Sequence, residues 1–253
     1  SSLTCAGECK EGFYPYYCDT AEMGENALTD VRAALRRLLP PGVASSAGPV
    51  AAPYPPLAPA ELAATEQMRS LRLQEFAAGR AHARKALQEL GLPSPVIPIG
   101  ANRAPQWPPG FVGSISHAGD LVVVAVAAST VLRAIGVDLE PGIPLDADLL
   151  NRVCRPEEVA RLRALPSPLH QAKLVFSAKE SVYKCVAPLL GIFLEFADVE
   201  ILFDADADGF CARGHGPAEA LINPATVNGR FVEAGGYWLT VAWQQPAARS
   251  GHR

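Results

Sequence analysis

Apolar residues recur three and four positions apart in four parts of the chain, a spacing typical of helices with one buried face. It predicts helices over residues 28–39, 61–90 and 148–165, and a long helix that contains residues 174–184 and ends before Pro188. Gly79 is expected to interrupt the second helix. Pro156 predicts a new helix start inside the third, because proline is favoured in a first helical turn.

Shorter apolar runs bounded by Gly, Asn and Asp predict strands. These runs are residues 111–115, 121–128, 199–203, 210–212, 230–232 and 237–243. Residues 116–120 (SHAGD) separate the first two runs, so we expect a hairpin with a polar turn there. Residues 44–60 are rich in Ala, Pro and Ser and predict a surface loop.

This order of elements favours an α+β fold made of two similar α/β lobes. We expect an extension over residues 1–26, an N-terminal lobe over 27–138, a C-terminal lobe over 139–245 and a flexible tail over 246–253. Ligand clefts often form between two such units. The active site is therefore expected at the interface of the lobes.

The long helix has one apolar side and one charged side. Wound at about 100° per residue, it gathers an apolar arc, with Lys173, Glu180 and Lys184 on the opposite side. The arc consists of Leu174, Val175, Ala178, Val182, Cys185 and Val186. Glu180 and Lys184 are four residues apart, so their plainest interpretation is an exposed ion pair on the helix surface.

A second pair of carboxylates changes that interpretation. Residues 137–140 (VDLE) alternate as in a strand, which turns Asp138 and Glu140 to the same face. Together with Glu180 they offer carboxylate oxygens from two elements. Such a set suits a hard divalent cation such as Mg²⁺, with positions left for water and phosphate oxygens.

Basic residues upstream offer partners for an anionic substrate. Arg72, Arg80 and Arg84 share one side of the predicted helix, which is either a solvated basic face or a phosphate clamp. The proline-rich loop over residues 100–108 carries Arg103. Ser116 and His117 lack the acid of a catalytic triad and are better interpreted as phosphate donors.

Composition narrows the class of protein. The chain has 253 residues, of which 49% are hydrophobic and 19% are charged, as in a folded globular protein. Its formal net charge of −4 gives no electrostatic footprint for nucleic acid. The sequence contains neither a membrane span nor a secretory signal, so a cytoplasmic location is expected. The six cysteines are scattered and are expected to be reduced.

Four segments together resemble one enzyme family. They are residues 75–84 (EFAAGRAHAR), 113–117 (GSISH), 136–140 (GVDLE) and 176–184 (FSAKESVYK). In this order they are similar to the 4′-phosphopantetheinyl transferases of the two-lobed surfactin-synthetase-activating class, in particular the enterobactin-synthase-component branch. The resemblance spans roughly residues 28–245, and residues 1–26 have no counterpart in it.

The resemblance implies transfer of the phosphopantetheine arm of coenzyme A to a serine of an acyl or peptidyl carrier protein. Asp138, Glu140 and Glu180 would hold Mg²⁺, or Mn²⁺ in its place. Glu180, directly or through a metal-bound water, would be the general base, with Asp138 and Lys184 also catalytic. Coenzyme A would contact Arg72, Arg80, Arg103, Ser116, His117, Lys179 and Lys184. Leu139 in the middle of the acidic motif leaves that strand only two carboxylates.

Two other functions remain open at this point. A Mg²⁺-dependent phosphodiesterase or nuclease also uses paired acids with lysine, but the net charge argues against it. A carrier-protein or coenzyme A binding module without turnover is the other. The expected partners are coenzyme A and carrier proteins of fatty-acid, polyketide, nonribosomal-peptide or siderophore synthesis, and the chain is expected to be a monomer.

Overall fold

The computed structural model describes residues 25–63, 65–100, 104–191, 194–204, 207–220, 222–223 and 225–246. Its helices are α1 (Glu25–Leu38), α2 (Pro59–Leu62), α3 (Ser70–Glu89), α4 (Leu150–Val153), α5 (Pro156–Arg163) and α6 (Pro168–Leu190). Its strands are β1 (Val43–Pro49), β2 (Phe111–Ala118), β3 (Leu121–Ala128), β4 (Ala134–Pro141), β5 (Val199–Phe203), β6 (Gly209–Gly214), β7 (Asn228–Ala234) and β8 (Tyr237–Gln244). The predicted α+β class is confirmed.

The first sheet is antiparallel and has the strand order β1-β3-β2. Alternate residues of β3 face opposite sides, so Val124 and Val126 pack with α3 while Val123 and Ala125 pack with α1. Every residue from Leu121 to Ala127 is buried, which explains the continuous apolar run.

Strand β1 lies where the sequence predicted a loop. Its composition, VASSAGP, has few residues with a strong strand preference, and the pairing of its whole length with β3 determines its conformation. Small side chains suit this place because α3 comes close. A methyl group added at Gly48 would lie 2.4 Å from the His82 ring.

The second sheet is also antiparallel and has the order β4-β8-β7-β6-β5. Helix α6 packs across β4 and β8, and α1 contacts β7 and β8 on the other side. The predicted apolar arc of α6 is confirmed, because each of its six residues is at most 2% exposed. Helices α4 and α5 pack beside α6.

The two sheets meet where β2 lies beside β4. Among the described strands, no pairing joins the two sheets; instead, the backbone N–H groups of Val137 and Leu139 donate to the hydroxyls of Ser114 and Ser116. The sheets separate between Ala128 and Ala134, because β4 pairs with β8 along its whole length. The predicted lobe boundary at residues 138 and 139 falls inside this strand.

Other element bounds also differ from the predictions. The predicted helix over 61–90 is divided into α2 and α3, and Gly79 does not interrupt α3. A methyl group there would lie 3.1 Å from Ile115, so the glycine lets helix and sheet pack closely. Strand β2 includes Ser116 and His117, which were predicted in a turn. Pro188 lies inside the last turn of α6, which ends at the left-handed Gly191.

The predicted N-terminal extension and C-terminal tail fall almost entirely on residues 1–24 and 247–253, which lie outside the described residues. The described cysteines, Cys154, Cys185 and Cys211, are all free thiols, as expected. Among the described helices, none combines the length and apolar character that a membrane span requires.

Candidate active site

Helix α6 presents a polar stripe to the end of β4. Lys173, Ser177, Glu180 and Lys184 are spaced four, three and four residues apart and therefore share one line along the helix. Close packing of the two elements depends on Gly136, where an added methyl group would lie 1.9 Å from the Ser181 carbonyl oxygen. The stripe is thereby held against the carboxylates of β4.

Asp138 is the centre of this arrangement and is 2% exposed. Its Oδ1 accepts hydrogen bonds from the Lys184 ammonium at 2.6 Å and from the Ser116 hydroxyl at 3.0 Å. Its Oδ2 accepts from the Ser177 hydroxyl at 2.8 Å. A buried carboxylate needs such partners to remain charged.

The Ser116 hydroxyl also accepts bonds from the Lys184 ammonium and the Leu139 N–H. Its donor and its acceptor positions are thus used between β2, β4 and α6. The prediction that Ser116 supplies a free phosphate donor is corrected, because this hydroxyl holds Asp138 and the seam between the sheets.

Two further carboxylates lie within electrostatic reach of Asp138. Burial and then the Asp138 charge raise the pKa of Glu180, while Lys184 lowers it. Burial and Asp138 likewise raise the pKa of Glu140, and Lys173, which donates to it at 2.8 Å, lowers it. The three acids that the sequence predicted at one site are therefore neighbours.

The expected metal cage is not formed in this arrangement. Within the described residues, no group of three or more His, Cys, Asp or Glu side chains is arranged to hold a metal ion. The ammonium groups of Lys173 and Lys184 instead neutralise Glu140 and Asp138. The chemistry of the donors still fits Mg²⁺, because the charge of Asp138 raises the pKa of both Glu140 and Glu180, which indicates three carboxylates close together.

The first sheet brings a second group of charges to the same place. Arg72 on α3 contacts the His117 ring at 2.6 Å and Glu75 at 3.1 Å. Burial lowers the pKa of His117, Glu75 raises it, and Arg72 and Lys184 lower it. Because the charge of Lys184 on α6 acts on the pKa of His117 on β2, these two residues are close together. Both sheets therefore contribute to one continuous site.

The remaining arginines of α3 do not form the predicted surface clamp. Arg80 is 4% exposed, donates from Nε to the Ile97 carbonyl at 2.6 Å and stacks over Phe76. Burial lowers its pKa to about 10. Arg84 forms an ion pair with the fully buried Glu61. Of the three arginines in the predicted clamp, Arg72 is the one that is exposed at the site.

Lys179, which was predicted to contact coenzyme A, does not face the site. It lies about 100° around the helix from Glu180, so it faces away from the polar stripe. Its ammonium donates to Glu158 at 2.6 Å and to the carbonyls of Val153 and Phe196. With its three donors bound inside the C-terminal lobe, Lys179 is structural rather than a phosphate ligand. Arg103, predicted at the site, lies outside the described residues.

A cleft of about 620 Å³ opens beside Glu180. Its walls are mostly apolar, with Phe176, Tyr183, Leu194 and Phe196 among the lining residues, and Arg152 and Glu195 supply charge. This cleft could not be predicted from the sequence, because its walls come from α4, α6 and the loop before β5.

Two residues of the site were missed from the sequence. Ser177 and Thr240 are both fully buried; their hydroxyls lie 3.0 Å apart, and Thr240 also donates to the Ser177 carbonyl. Each is a polar residue within an otherwise apolar pattern, and that exception was the available signal.

Two family models match most of this chain. Residues 59–127 match the 4′-phosphopantetheinyl transferase N-terminal domain, and residues 134–242 match the 4′-phosphopantetheinyl transferase superfamily. The chain is 37% identical to the 4′-phosphopantetheinyl transferase Npt of Nocardia iowensis over 180 residues, which cover 67% of this chain and 81% of that protein.

Two other relatives are matched over shorter segments. The 4′-phosphopantetheinyl transferase Svp of Streptomyces mobaraensis is 42% identical over 62% of this chain, and the match spans 65% of Svp, just under two thirds of its length. Enterobactin synthase component D of Salmonella typhi is 39% identical over 45% of this chain and 47% of its own length.

This chain belongs to the 4′-phosphopantetheinyl transferase superfamily. The family predicted from four short segments is confirmed.

Proposed function

We propose that this chain transfers the 4′-phosphopantetheine arm of coenzyme A to a serine hydroxyl of an acyl or peptidyl carrier protein. The bond that forms joins the serine oxygen to the phosphorus carrying the pantetheine. The bond that breaks joins that phosphorus to the bridging oxygen, and adenosine 3′,5′-bisphosphate leaves. The convergence of Asp138, Glu180 and Lys184 beside the Arg72–His117 pair, in a member of this family, carries the proposal.

Glu180 is proposed to accept the proton of the carrier serine. Its pKa is raised above the ordinary carboxylate value by burial and by Asp138, which makes it a stronger base near neutral pH once it is ionised. Lys184 is partly exposed and forms an ion pair with Asp138. It would stabilise the negative charge that develops on the departing bisphosphate.

Asp138, Glu140 and Glu180 are the residues proposed to hold Mg²⁺ or Mn²⁺. A bound divalent ion would neutralise charge on the diphosphate. The residues can supply this site if Lys173 and Lys184 turn from the carboxylates toward the phosphates. Both ammonium groups belong to flexible side chains, so this exchange requires no movement of the backbone.

The nucleotide end of coenzyme A is assigned to the first sheet. Arg72 and His117 lie at the site and offer guanidinium and ring N–H donors to phosphate oxygens. Arg80 is also proposed to contact these phosphates. It would do so through the guanidinium nitrogens other than Nε, because Nε donates to the Ile97 carbonyl. The apolar cleft next to Glu180 suits the pantetheine arm, whose chain is mostly uncharged.

Carrier modification tests this function directly. The purified chain is incubated with coenzyme A, Mg²⁺ and apo carrier proteins of fatty-acid, polyketide and nonribosomal-peptide type, and the carriers are weighed by mass spectrometry. A gain of about 340 Da, the mass of the arm, is expected on at least one carrier. Release of nucleotide without carrier modification would indicate a phosphodiesterase, and coenzyme A binding without either product would indicate a binding module.

A further inference from the structure

A small crevice lies away from the active site, at the free edge of β1. It has a volume of about 200 Å³ and is bordered by α1 on one side and α3 on the other. We call it the edge crevice and define it by Arg32, Arg36, Ser45, Ser46, His82 and Lys85. Strand β1 is at the opposite edge of the first sheet from β2, which carries Ser116 and His117.

Positive charge is concentrated in the edge crevice. Arg32 and Arg36 come from successive turns of α1, and Lys85 comes from α3. Glu89 is the acidic residue among those that line it. Within the part of the chain that the structure describes, neither Arg36 nor Lys85 forms an ion pair.

The positive charges of the edge crevice also act on His82, which lines it. Burial, followed by the charges of Lys85 and Arg32, lowers the pKa of His82 to about 4. Burial is the larger cause, and the smaller contributions of Lys85 and Arg32 indicate that both positive charges are close to the His82 ring. An anion placed there would be attracted by all three basic side chains.

The strand edge adds neutral donors. In an antiparallel pair, alternate residues direct their backbone groups away from the partner strand. The Ala47 carbonyl is directed outward, because it accepts a bond from Arg32 Nε at 2.9 Å. Ser45, two residues earlier, therefore turns its backbone N–H toward the same side. Cations combined with N–H and hydroxyl donors are typical of oxyanion sites.

We propose that the edge crevice binds a small oxyanion of the phosphate class. Its volume suits one phosphate with its water and is too small for a nucleotide such as coenzyme A. The proposal does not depend on the transferase activity, because none of the crevice residues belongs to the active site.

The test is an NMR titration of the full chain with inorganic phosphate, at constant ionic strength adjusted with chloride. Saturating coenzyme A is present, so that phosphate groups already occupy the active site. The amide signals of Ser45, Ser46 and Ala47 are expected to shift in a saturable manner. Sulfate, which has the same shape, is expected to give the same shifts, and chloride is not.

Charge-neutralising variants make the assignment specific. The double variant Arg36→Gln/Lys85→Gln is expected to raise the dissociation constant for phosphate at least about tenfold, because it removes two charge-assisted hydrogen bonds. The control Arg133→Gln/Arg163→Gln removes two exposed arginine charges elsewhere and is expected to change it less than about twofold.

Two results would overturn the proposal. One is a phosphate response that is linear and unsaturated, or equal in the two double variants, because general screening would then explain it. The other is a short poly-glutamate peptide that shifts the same amides at a lower concentration than phosphate. That result would assign the edge crevice to an acidic protein segment instead.

Discussion

Asp138 illustrates how single residues create this site. Its carboxylate is 2% exposed, and two hydroxyls and one ammonium group donate hydrogen bonds to it. These donors come from β2 and α6, so the hydrogen bonding of Asp138 depends on the folded state. Glu180 lacks such donors among the hydrogen bonds of the described residues and is left available for proton transfer.

Replacing Glu180 with Gln keeps the shape of the side chain and removes the base. We expect the turnover number for carrier modification to fall by about 10² to 10⁴-fold, while the affinity for coenzyme A changes only a few-fold. Turnover is measured by mass spectrometry and affinity by calorimetry. Glu233→Gln, which neutralises an exposed acid outside the site, is the control. A wild-type rate in Glu180→Gln would remove Glu180 from catalysis.

Replacing Ser177 with Ala removes a hydroxyl that positions Asp138. We expect kcat to fall about tenfold, because a hydrogen bond to a charged group contributes roughly 1.5–3 kcal/mol, with little change in the KM for coenzyme A. Ser177→Thr, which keeps a hydroxyl, should restore most of the rate.

Ser181→Ala is the matched control for this experiment. Ser181 lies one turn further along the same buried face, and its hydroxyl donates only to the Ala178 carbonyl. Equal losses of kcat in Ser177→Ala and Ser181→Ala, in parallel with equal losses of stability, would mean that Ser177 acts through packing alone.

At the level of elements, the site depends on how closely α6 approaches β4. Gly136 is the point of contact, since an added methyl group would lie 1.9 Å from the Ser181 carbonyl oxygen and 2.6 Å from the Cys185 nitrogen. Both neighbours are helix backbone and cannot rotate away. This one position therefore determines the separation of Asp138 from Ser177 and Lys184.

Gly136→Ala is expected to destabilise the protein by about 3 kcal/mol or more, because overpacking against backbone forces the helix to move. Urea unfolding measures this loss. Gly209→Ala is the control, since its methyl group would meet no atom closer than 3.8 Å. Similar midpoints for the two variants would contradict the close contact of α6 with β4.

A second contact between elements joins β1 to α3 through His82, which is 2% exposed. The Tyr54 hydroxyl donates to the Pro49 carbonyl and lies 3.0 Å from His82 Nε2, while Ser46 Oγ lies 2.7 Å from Nδ1. Since the Tyr54 proton is already used, Nε2 donates to Tyr54 and Nδ1 accepts from Ser46. The ring is thus bound in its neutral form.

This contact predicts a pH dependence of stability. The pKa of His82 is lowered to about 4, below the ordinary value of 6.5, so the unfolded chain binds the proton more readily. Stability should be full above about pH 6.5 and decrease as pH falls toward 4, by up to about 3 kcal/mol. Unfolding free energies over this range should show a smaller decrease in His82→Gln than in the wild type. Equal slopes would contradict the assignment.

At the scale of the whole molecule, two antiparallel sheets meet along a seam of serine hydroxyls. Ser114 and Ser116 satisfy backbone groups at the free edge of β4, where another strand would otherwise pair. The seam fixes the position of the proposed coenzyme A contacts relative to the carboxylates. The Ser114 hydroxyl bonds to the Val137 backbone, whereas the Ser116 hydroxyl bonds to Asp138, so Ser114 tests the seam apart from the proposed catalytic groups.

Ser114→Ala leaves the buried Val137 N–H without its partner. We expect a loss of about 1–3 kcal/mol in unfolding free energy, the cost of an unsatisfied buried donor, with kcat within about twofold of wild type at low temperature. Ser129→Ala, at an exposed position, should change neither quantity. Unchanged stability in Ser114→Ala would mean that the seam is not held by this hydroxyl.

The sequence predicted most elements because they bury one face and repeat at the corresponding period. The apolar arc of α6 and the alternation of β4 located Asp138, Glu140, Glu180 and Lys184 without coordinates. Strand β1 was missed because its small residues have no strong preference of their own. Its conformation comes from pairing with β3 and from the helices on either side.

What the sequence by itself determined is the family, the α+β class and the residues that carry charge at the proposed site, since these follow from local pattern and short motifs. Only the tertiary structure decided which charges remain available. Lys179 and Arg84 were indistinguishable from Lys184 and Arg72 by residue type, but they are bound to Glu158 and Glu61 inside the lobes. A buried cation requires a partner, and that partner is brought to it by segments distant in the chain.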